Sequence, residues 1–225
     1  ESLISKYNIT VWNSVPAQMQ ILLTYIASMK EKHSYAMRVV MLSGDWIPVS
    51  QPSAIYNTFD GCTLYSLGGA TEAAIWSIYY EAGRDEKFVK SVPYGYPLKN
   101  QYFKVLSSAL EDCPDYVTGD LYIGGVGVTM GYMNDPEITA EKLIKDPATG
   151  ETLYFTGDLG RYLENGVIEF IGRSDDQVKI HGHRIEIKEI ESSLESIDGV
   201  DSAVVVIDEN GGRDNISVIL IEPLG

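Results

Sequence analysis

Strand-like and helix-like patterns of apolar residues alternate along the first third of the chain. Ile9–Trp12 is an apolar run that predicts a short strand. Ser14 and Pro16 follow it, and a hydroxyl residue shortly before a proline is typical of a helix start. The predicted helix has one apolar face at helical spacing, formed by Met19, Leu22, Leu23 and Ile26.

Strand-like and helix-like runs continue to alternate up to residue 67. Val39–Leu42 is a β-rich apolar run that suits a strand buried in a parallel sheet. A short helix is predicted after Ser50 and Pro52, and Thr63–Leu67 is the next predicted strand. Because strand, helix and strand follow one another, we expect an α/β layered sheet.

The middle of the chain changes to short strands separated by turns. Tyr102–Leu106 and Leu121–Ile123 are the clearest of these strands. Asp135 and Pro136 then predict a helix start, with the aspartate as the cap and the proline in the first turn. We expect that helix to carry Ile138 and Leu143.

The last part of the chain predicts a hairpin and then a separate small unit. Glu164–Gly166 reads as the hairpin turn, and a polar connection at 173–177 follows the second strand. We place a domain boundary near Asp175. The predicted small unit contains, in order, a strand, a helix, a strand, a turn and a strand. Its helix is amphipathic, with apolar residues at Ile187, Ile190, Leu194 and Ile197. The two strands after the helix are predicted at Ala203–Ile207 and Ile216–Ile221.

Composition narrows the class of protein. The chain has 225 residues, 44% of them hydrophobic, and a net charge of −15. Its lysines and arginines are scattered and no apolar run approaches about 20 residues, so we expect no nucleic-acid or membrane partner. Cys62 and Cys113 stand in no zinc-site or disulfide pattern, so we expect a reduced, cytoplasmic setting. Since the first residue is Glu1 and not methionine, we also expect a piece of a longer protein.

The segment from Leu67 to Glu72 has the composition of a phosphate-binding loop. Gly69 and Ala70 are small, so backbone N–H groups there can approach a phosphate closely. The Thr71 hydroxyl can bond a phosphate oxygen, and Glu72 can hold Mg²⁺. Taken alone, the segment also fits a turn followed by a helix N-cap.

Two later segments carry further candidate chemistry. In 154–158, Asp158 ends a strand and can accept both hydroxyls of a ribose, although Thr-Gly-Asp is also an ordinary turn. In 171–182, Arg173 suits a phosphate or ribose, and Lys179 lies beyond a polar linker. A solvated linker with surface charges explains that second segment equally well.

The order and spacing of these segments are more specific than any one of them. Between them lie Gly119–Gly125, Gly131–Tyr132 and Pro136–Lys142. The whole run resembles the core motifs of the acyl-adenylate-forming superfamily, and it looks most like the adenylation domains of non-ribosomal peptide synthetases. The resemblance extends from Ile9 to the last predicted strand.

The resemblance implies the latter part of the family's large layered α/β subdomain (1–174) and the start of its small α+β C-terminal subdomain (175–225). Family members join a carboxylic acid to the α-phosphate of ATP and pass the acyl group to the phosphopantetheine thiol of a carrier protein.

The implied catalytic residues are Thr71, Glu72 and Lys179, with Glu72 as the Mg²⁺ ligand. The implied nucleotide-binding residues are Gly69, Ala70, Thr71, Asp158, Phe170 and Arg173. Asp175 matches the hinge, and Gly182 lies with Lys179 on the loop used for thioester formation.

The resemblance also implies an amino-acid pocket. Its six matching positions are Asn13, Met41, Ser43, Leu67, Ile75 and Trp76. As a set they are similar to the pocket of cysteine-activating domains in modules that make thiazoline or related rings. A small, mostly apolar pocket suits a short thiol side chain, with serine as the natural competitor.

The chain departs from the family pattern at several points. Gly68 stands where the family usually has an aromatic residue that packs on adenine, and Phe155 stands where an arginine is usual. The family's Gly-rich phosphate loop, the aspartate that grips the substrate amine and the final catalytic lysine would lie outside residues 1–225. We therefore expect this piece alone to be inactive.

Two other functions fit the sequence. One is a stand-alone acid–CoA or aryl-acid ligase of the same superfamily. The other is a non-catalytic fragment that serves as a docking or structural module. For the peptide-synthetase interpretation the expected partners are an amino acid, a peptidyl carrier (thiolation) domain, and a condensation or cyclization domain in the parent chain.

Overall fold

The computed structural model divides the chain into two compact units, Glu1–Ser174 and Asp175–Gly225. Each unit is described by itself. The residues that the structure describes are 2–29, 34–89, 92–174, 177–180, 183–197, 199–200, 202–208 and 215–221.

The first unit begins with a five-stranded sheet flanked by three helices. Its elements in chain order are α1 (Ser2–Lys6), β1 (Val11–Ser14), α2 (Pro16–Ala27), β2 (Val39–Ser43), α3 (Gln51–Thr58), β3 (Thr63–Gly68), β4 (Ile78–Ala82) and β5 (Tyr96–Pro97). The strands lie in the order β1-β2-β3-β4-β5. The first three are parallel, whereas β4 and β5 are antiparallel to their neighbours. The predicted α/β fold is confirmed.

One face of this sheet carries the larger hydrophobic core. Val40, Leu42 and Leu64 are completely buried, as period-two alternation along parallel strands requires. The predicted apolar face of α2 packs on them, since Met19, Leu22 and Leu23 are buried and Ile26 is partly buried.

The predicted helix start at Ser14 and Pro16 is confirmed, because α2 begins at Pro16. Val15, not Ser14, is the N-cap, and no side chain caps the helix. The Ser14 hydroxyl instead accepts a hydrogen bond from Trp12 Nε1 at 2.7 Å and donates one to the Val15 carbonyl at 2.9 Å. Ser14 therefore ends the strand and leaves the helix start to Pro16.

A second sheet completes the first unit. Its elements are β6 (Gln101–Leu106), β7 (Gly119–Gly125), α4 (Pro136–Lys142), β8 (Leu143–Lys145), β9 (Thr152–Tyr162) and β10 (Ile168–Arg173). The antiparallel strands lie in the order β10-β9-β7-β6, and β8 pairs with β9. A separate core lies under this sheet and includes Phe103, Val105, Leu121, Ile123 and Tyr154.

The hairpin and the capped helix are confirmed in this second sheet. Asn165 and Gly166 have positive φ angles of 64° and 75° in the turn between β9 and β10. The Asp135 carboxylate caps α4 by accepting a hydrogen bond from Ile138 N at 2.9 Å. Leu143 was wrongly assigned to the helix, because it begins β8 and pairs with Tyr154.

Backbone bonds from Gly95 connect the two sheets. Gly95 N and O exchange hydrogen bonds with Ile168 of β10, at 3.0 and 2.9 Å. Gly95 has φ +107°, and a Cβ there would lie 2.0 Å from the Tyr79 carbonyl oxygen. Only glycine satisfies both conditions, so the joint between the sheets depends on it.

In its described residues the second unit contains two pairs of antiparallel strands and a helix. Its elements are β11 (Gln177–Ile180), β12 (His183–Glu186), α5 (Ile187–Glu195), β13 (Ser202–Asp208) and β14 (Asn215–Ile221). β11 pairs with β12 and β13 pairs with β14, both antiparallel. The predicted first strand is therefore two strands, and Ile197 lies beyond the end of α5 with half of its surface exposed.

Candidate functional site

The loop after β3 holds the first group of predicted site residues. Gly69 and Ala70 lead into a short 3₁₀ helix, Thr71–Ala73. Gly69 has φ +142°, and a Cβ there would lie 2.7 Å from both Ile75 O and Ser77 N. The loop is thus packed against its own continuation and requires a glycine at that point. Thr71 is exposed and available for a ligand.

The Glu72 carboxylate is held by a tyrosine from the second sheet region. Tyr132 Oη donates a hydrogen bond to Glu72 Oε1 at 2.6 Å, and Thr129 N donates one to the Glu72 carbonyl at 2.7 Å. Burial raises the pKa of Tyr132, and its bond to Glu72 raises it further. The phenol therefore remains a donor at neutral pH.

Tyr132 is itself fixed by the start of α4. Its backbone N–H donates to Thr139 Oγ1 at 2.9 Å, and that hydroxyl donates to the Asp135 carbonyl at 2.7 Å. The cap of α4 and the position of the Glu72 carboxylate therefore belong to one chain of hydrogen bonds. Sequence reasoning missed Tyr132 as a site residue, although Gly131–Tyr132 was among the motifs that carried the resemblance.

Asp158 and Arg173 form the second group. They stand opposite each other in the β9–β10 ladder, and Arg173 Nη1 donates to Asp158 Oδ1 at 2.7 Å. Their side chains are only 6% and 13% exposed, so each charge compensates the other in a buried place. Asp158 N also donates to Thr156 Oγ1 at 2.9 Å, which fixes the backbone before the carboxylate.

An aromatic cluster lies between the two groups. Tyr94 Oη accepts a hydrogen bond from Gly69 N at 3.0 Å, and its ring centroid lies 5.8 Å from that of Phe170. Trp46 also packs on Phe170, edge to face, with ring centroids 4.8 Å apart. Burial raises the pKa of Tyr94, and the negative charge of Asp158 raises it further. The structure thus brings Gly69, Phe170 and the Asp158–Arg173 pair around Tyr94, a residue that the sequence reasoning did not single out.

The predicted amino-acid pocket residues share a face of the first sheet. The register aligns Asn13, Met41 and Tyr65 in one row, and Ser43, Leu67 and Tyr79 in the next. None of these six is buried, whereas the residues that alternate with them on β2 and β3 are. This face therefore lies opposite the large core and is available to a ligand. Tyr65 and Tyr79 were not among the predicted pocket residues, and the strand register places them on the same face.

The last two predicted pocket residues lie after the 3₁₀ helix. Ile75 has a positive φ of 69° and is 65% exposed, which is an unusual conformation for a β-branched residue. The Trp76 carbonyl accepts a hydrogen bond from Gln101 Nε2 at 3.1 Å. Both residues continue the same loop that carries Glu72.

The remaining predicted residues belong to the second unit. Lys179 lies on β11, with Arg184 as its register partner. Asp175 and Gly182 lie outside the described residues.

The donor set suits a metal that is shared with a substrate phosphate. Among the described residues no three His, Cys, Asp or Glu side chains group together as a metal site. Mg²⁺ commonly uses one or two carboxylates and completes its shell with phosphate and water. Glu72, placed beside the small-residue loop, provides such a carboxylate. None of the helices in the described part of the chain combines the length and apolar character of a membrane span.

Comparison with known proteins identifies relatives of this chain among AMP-binding enzymes and peptide synthetases. A family model for AMP-binding enzymes matches residues 1–133. The chain is 46% identical over 220 residues to pyochelin synthetase PchF of Pseudomonas aeruginosa. That match covers 97% of this chain but only 12% of the relative, so the chain spans about an eighth of that protein's length.

Two solved structures show the same fold. The non-ribosomal peptide synthetase FmoA3, solved with α-methyl-L-serine-AMP bound, is 35% identical, with a TM-score of 0.74, and the match covers 77% of this chain and 20% of that one. NpsA-ThdA of Klebsiella oxytoca, an artificially fused adenylation–PCP di-domain, is 25% identical, with a TM-score of 0.80. That second match covers 98% of this chain and 41% of the other.

Proposed function

Because the chain belongs to the AMP-binding enzyme family, as part of a non-ribosomal peptide synthetase adenylation domain, we propose that its parent protein activates an amino acid as the aminoacyl adenylate. ATP is the co-substrate and pyrophosphate leaves. The observation that carries this proposal is the convergence of the Gly69–Glu72 loop and the Asp158–Arg173 pair on Tyr94. One nucleotide needs both a phosphate loop and a ribose acceptor within a single region.

In this proposal the loop after β3 serves the phosphates. Gly69 and Ala70 allow close approach of the phosphates to the backbone, and the exposed Thr71 hydroxyl donates to a phosphate oxygen. Glu72 holds Mg²⁺, which neutralises negative charge on the phosphates when it is bound. Tyr132 keeps the Glu72 carboxylate in one orientation, so it is ready before the ligand arrives.

The Asp158–Arg173 pair serves the ribose. A buried aspartate is costly unless a cation compensates it, and Arg173 does so at 2.7 Å. The carboxylate then accepts hydrogen bonds from ribose hydroxyls, while the guanidinium favours the nearby phosphate. Phe170, beside Tyr94, closes the apolar side of the nucleotide region.

Cysteine is the proposed amino acid. The face formed by Asn13, Met41, Ser43 and Leu67 is of mixed polarity and is completed by Ile75 and Trp76. FmoA3, which was solved with the adenylate of a small hydroxyl amino acid, is similar to this chain. Cysteine is close to serine in size, and the apolar members of the set, Met41, Leu67, Ile75 and Trp76, favour sulfur over a hydroxyl.

A carrier domain is the proposed acceptor of the activated amino acid. NpsA-ThdA joins an adenylation domain to a PCP domain in one chain. In the proposal, residues 1–174 belong to the large subdomain and 175–225 to the small one, with Asp175 as the hinge. Lys179 and Gly182 act when the acyl group passes to the phosphopantetheine thiol. A condensation or cyclization domain in the parent chain uses the loaded product.

Pyrophosphate exchange with a panel of acids tests the proposal. The full-length protein should exchange labelled pyrophosphate into ATP with cysteine at least about tenfold faster than with serine, because one pocket contact is worth about that much. Chelation of Mg²⁺ should abolish the exchange. Activation of aryl or fatty acids without any amino acid would instead indicate an acid–CoA or aryl-acid ligase. No exchange with any acid would favour a docking or structural module.

A further inference from the structure

The space above Gly68 is occupied by the ring of Tyr94. An ideal Cβ at Gly68 would lie 1.8 Å from Tyr94 Cε2 and 2.5 Å from Tyr94 Cζ. Contacts this short do not occur between real side chains, so position 68 can carry no side chain while Tyr94 holds its place. Gly68 and the Tyr94 ring are therefore two parts of one arrangement.

The Tyr94 ring is fixed from several directions. Its hydroxyl accepts the hydrogen bond from Gly69 N at 3.0 Å. Its ring meets Phe103 edge to face, with centroids 5.9 Å apart and planes at 77°, and packs on Phe170 at 5.8 Å. Tyr94 as a residue is only partly buried. Its ring is therefore held in one place, in contact with Gly69 of the loop and with Phe170.

Resting on the proposed function, we propose that Tyr94 supplies the aromatic surface for the adenine base, in place of the side chain that position 68 lacks. The base is attached to the ribose, and Asp158 is close enough to Tyr94 to influence its hydroxyl electrostatically. The same hydroxyl accepts the Gly69 N–H at the start of the phosphate loop. Tyr94 thus lies where the base, ribose and phosphate groups of one nucleotide meet. Stacking on an aromatic ring is energetically favourable for any purine, because every base has a π-face.

The reciprocal fit of Gly68 and Tyr94 predicts a specific pattern of rescue. A tyrosine at position 68 alone would collide with the Tyr94 ring. Removal of that ring would make room for an aromatic side chain that starts from β3 and reaches the same space. A purely structural role for Tyr94 in the core would not predict recovery of nucleotide binding by a ring from another strand.

The experiment compares AMP with ribose 5-phosphate, which is AMP without the base. In the full-length protein we expect Tyr94→Leu to raise the AMP dissociation constant, measured by calorimetry, about tenfold. The inhibition constant of ribose 5-phosphate for the Tyr94→Leu variant should differ from the wild-type value by less than about twofold. Tyr94→Phe keeps the ring and should recover most of the AMP affinity. The double variant Gly68→Tyr/Tyr94→Ala should bind AMP more tightly than Tyr94→Ala alone.

Three results would overturn the inference. One is unchanged AMP binding in Tyr94→Leu. Another is equal weakening of AMP and ribose 5-phosphate, which would mean that the ring only supports the loop. The third is a double variant that binds AMP no better than Tyr94→Ala. Amino-acid-dependent exchange by the wild-type protein is measured separately, so its absence would refute the proposed function and not the placement of the ring.

Discussion

Glu72 illustrates how a single carboxylate acquires a defined position in this molecule. It lies in a 3₁₀ helix of one turn, which by itself gives little control over a side chain. Tyr132, 60 residues further along the chain, donates the hydrogen bond that orients it. A phenol is protonated at physiological pH, and burial raises the pKa of Tyr132 further, so the contact persists across that range. The carboxylate is thus oriented by tertiary structure and not by its own helix.

Substitution of Glu72 tests its proposed metal role. Glu72→Gln preserves size and can still accept from Tyr132, but it removes the charge that Mg²⁺ requires. We expect the exchange rate of the full-length protein to fall at least about tenfold, the lower end of losses seen for outer-shell partners of metals. The measurement is a titration of exchange against Mg²⁺ concentration. Glu137→Gln, an exposed residue of α4, is the matched control, and an unchanged rate in Glu72→Gln would refute the metal role.

The orientation of the Glu72 side chain depends on the short helix α4, because Thr139 of α4 holds Tyr132 and Tyr132 holds Glu72. It has seven residues and no buried side chain, so its own packing contributes little to its stability. The Asp135 cap and the Thr139 bridge to Tyr132 therefore matter more here than in a buried helix. A weakened α4 should release Tyr132 and, through it, Glu72.

Removal of the α4 cap gives a test at the level of this element. Asp135→Ala should destabilise the helix start by about 1 kcal/mol, which corresponds to roughly fivefold faster amide exchange at Ile138. Hydrogen exchange followed by mass spectrometry or NMR measures this. Ser50→Ala is the matched control, because Ser50 is the N-cap of α3 but its side chain makes no capping bond. Equal exchange in the two variants would contradict the role of the cap.

The sequence predicted the elements well where one periodic pattern covered a whole element. The parallel strands, the apolar face of α2 and the Asp135 cap all follow from local rules. The errors lie at boundaries. Leu143 leaves α4 and begins a strand, because it pairs with Tyr154 of β9. A contact outside the local pattern decided that outcome.

The candidate site was predictable only in part for the same reason. The site roles of Glu72, Asp158 and Arg173 were predicted from the order of the motifs along the chain. Tyr94 and Tyr132 act through contacts with residues 25 and 60 positions away. Nothing in their local sequence identifies those partners. The register that adds Tyr65 and Tyr79 to the pocket face likewise appears only when the strands are paired.

At the scale of the whole molecule, the division after Ser174 separates the residues proposed to bind the nucleotide and the amino acid from Lys179. The first unit holds Glu72, Asp158, Arg173 and the pocket face, whereas Lys179 lies on β11 of the second. If one site serves two reactions in turn, residues of the second unit should affect one reaction more than the other.

Lys179→Ala tests this division of labour. In the full-length protein we expect thioester formation on the carrier to fall at least about tenfold, with exchange changed by less than about threefold, since each tenfold step needs a lost interaction of about 1.4 kcal/mol. Single-turnover loading and pyrophosphate exchange measure the two reactions. Lys145→Ala, at an exposed position on β8, is the control. Equal losses in both reactions would argue against a role confined to transfer.

A crystal structure of the full-length protein with a non-hydrolysable cysteinyl adenylate tests the central claim most directly. The account predicts the ribose hydroxyls on Asp158, the phosphate beside Thr71 and Gly69, and the cysteine side chain over the face that includes Met41. A ligand bound elsewhere, or bound here with its base and ribose away from Tyr94 and Asp158, would contradict the account.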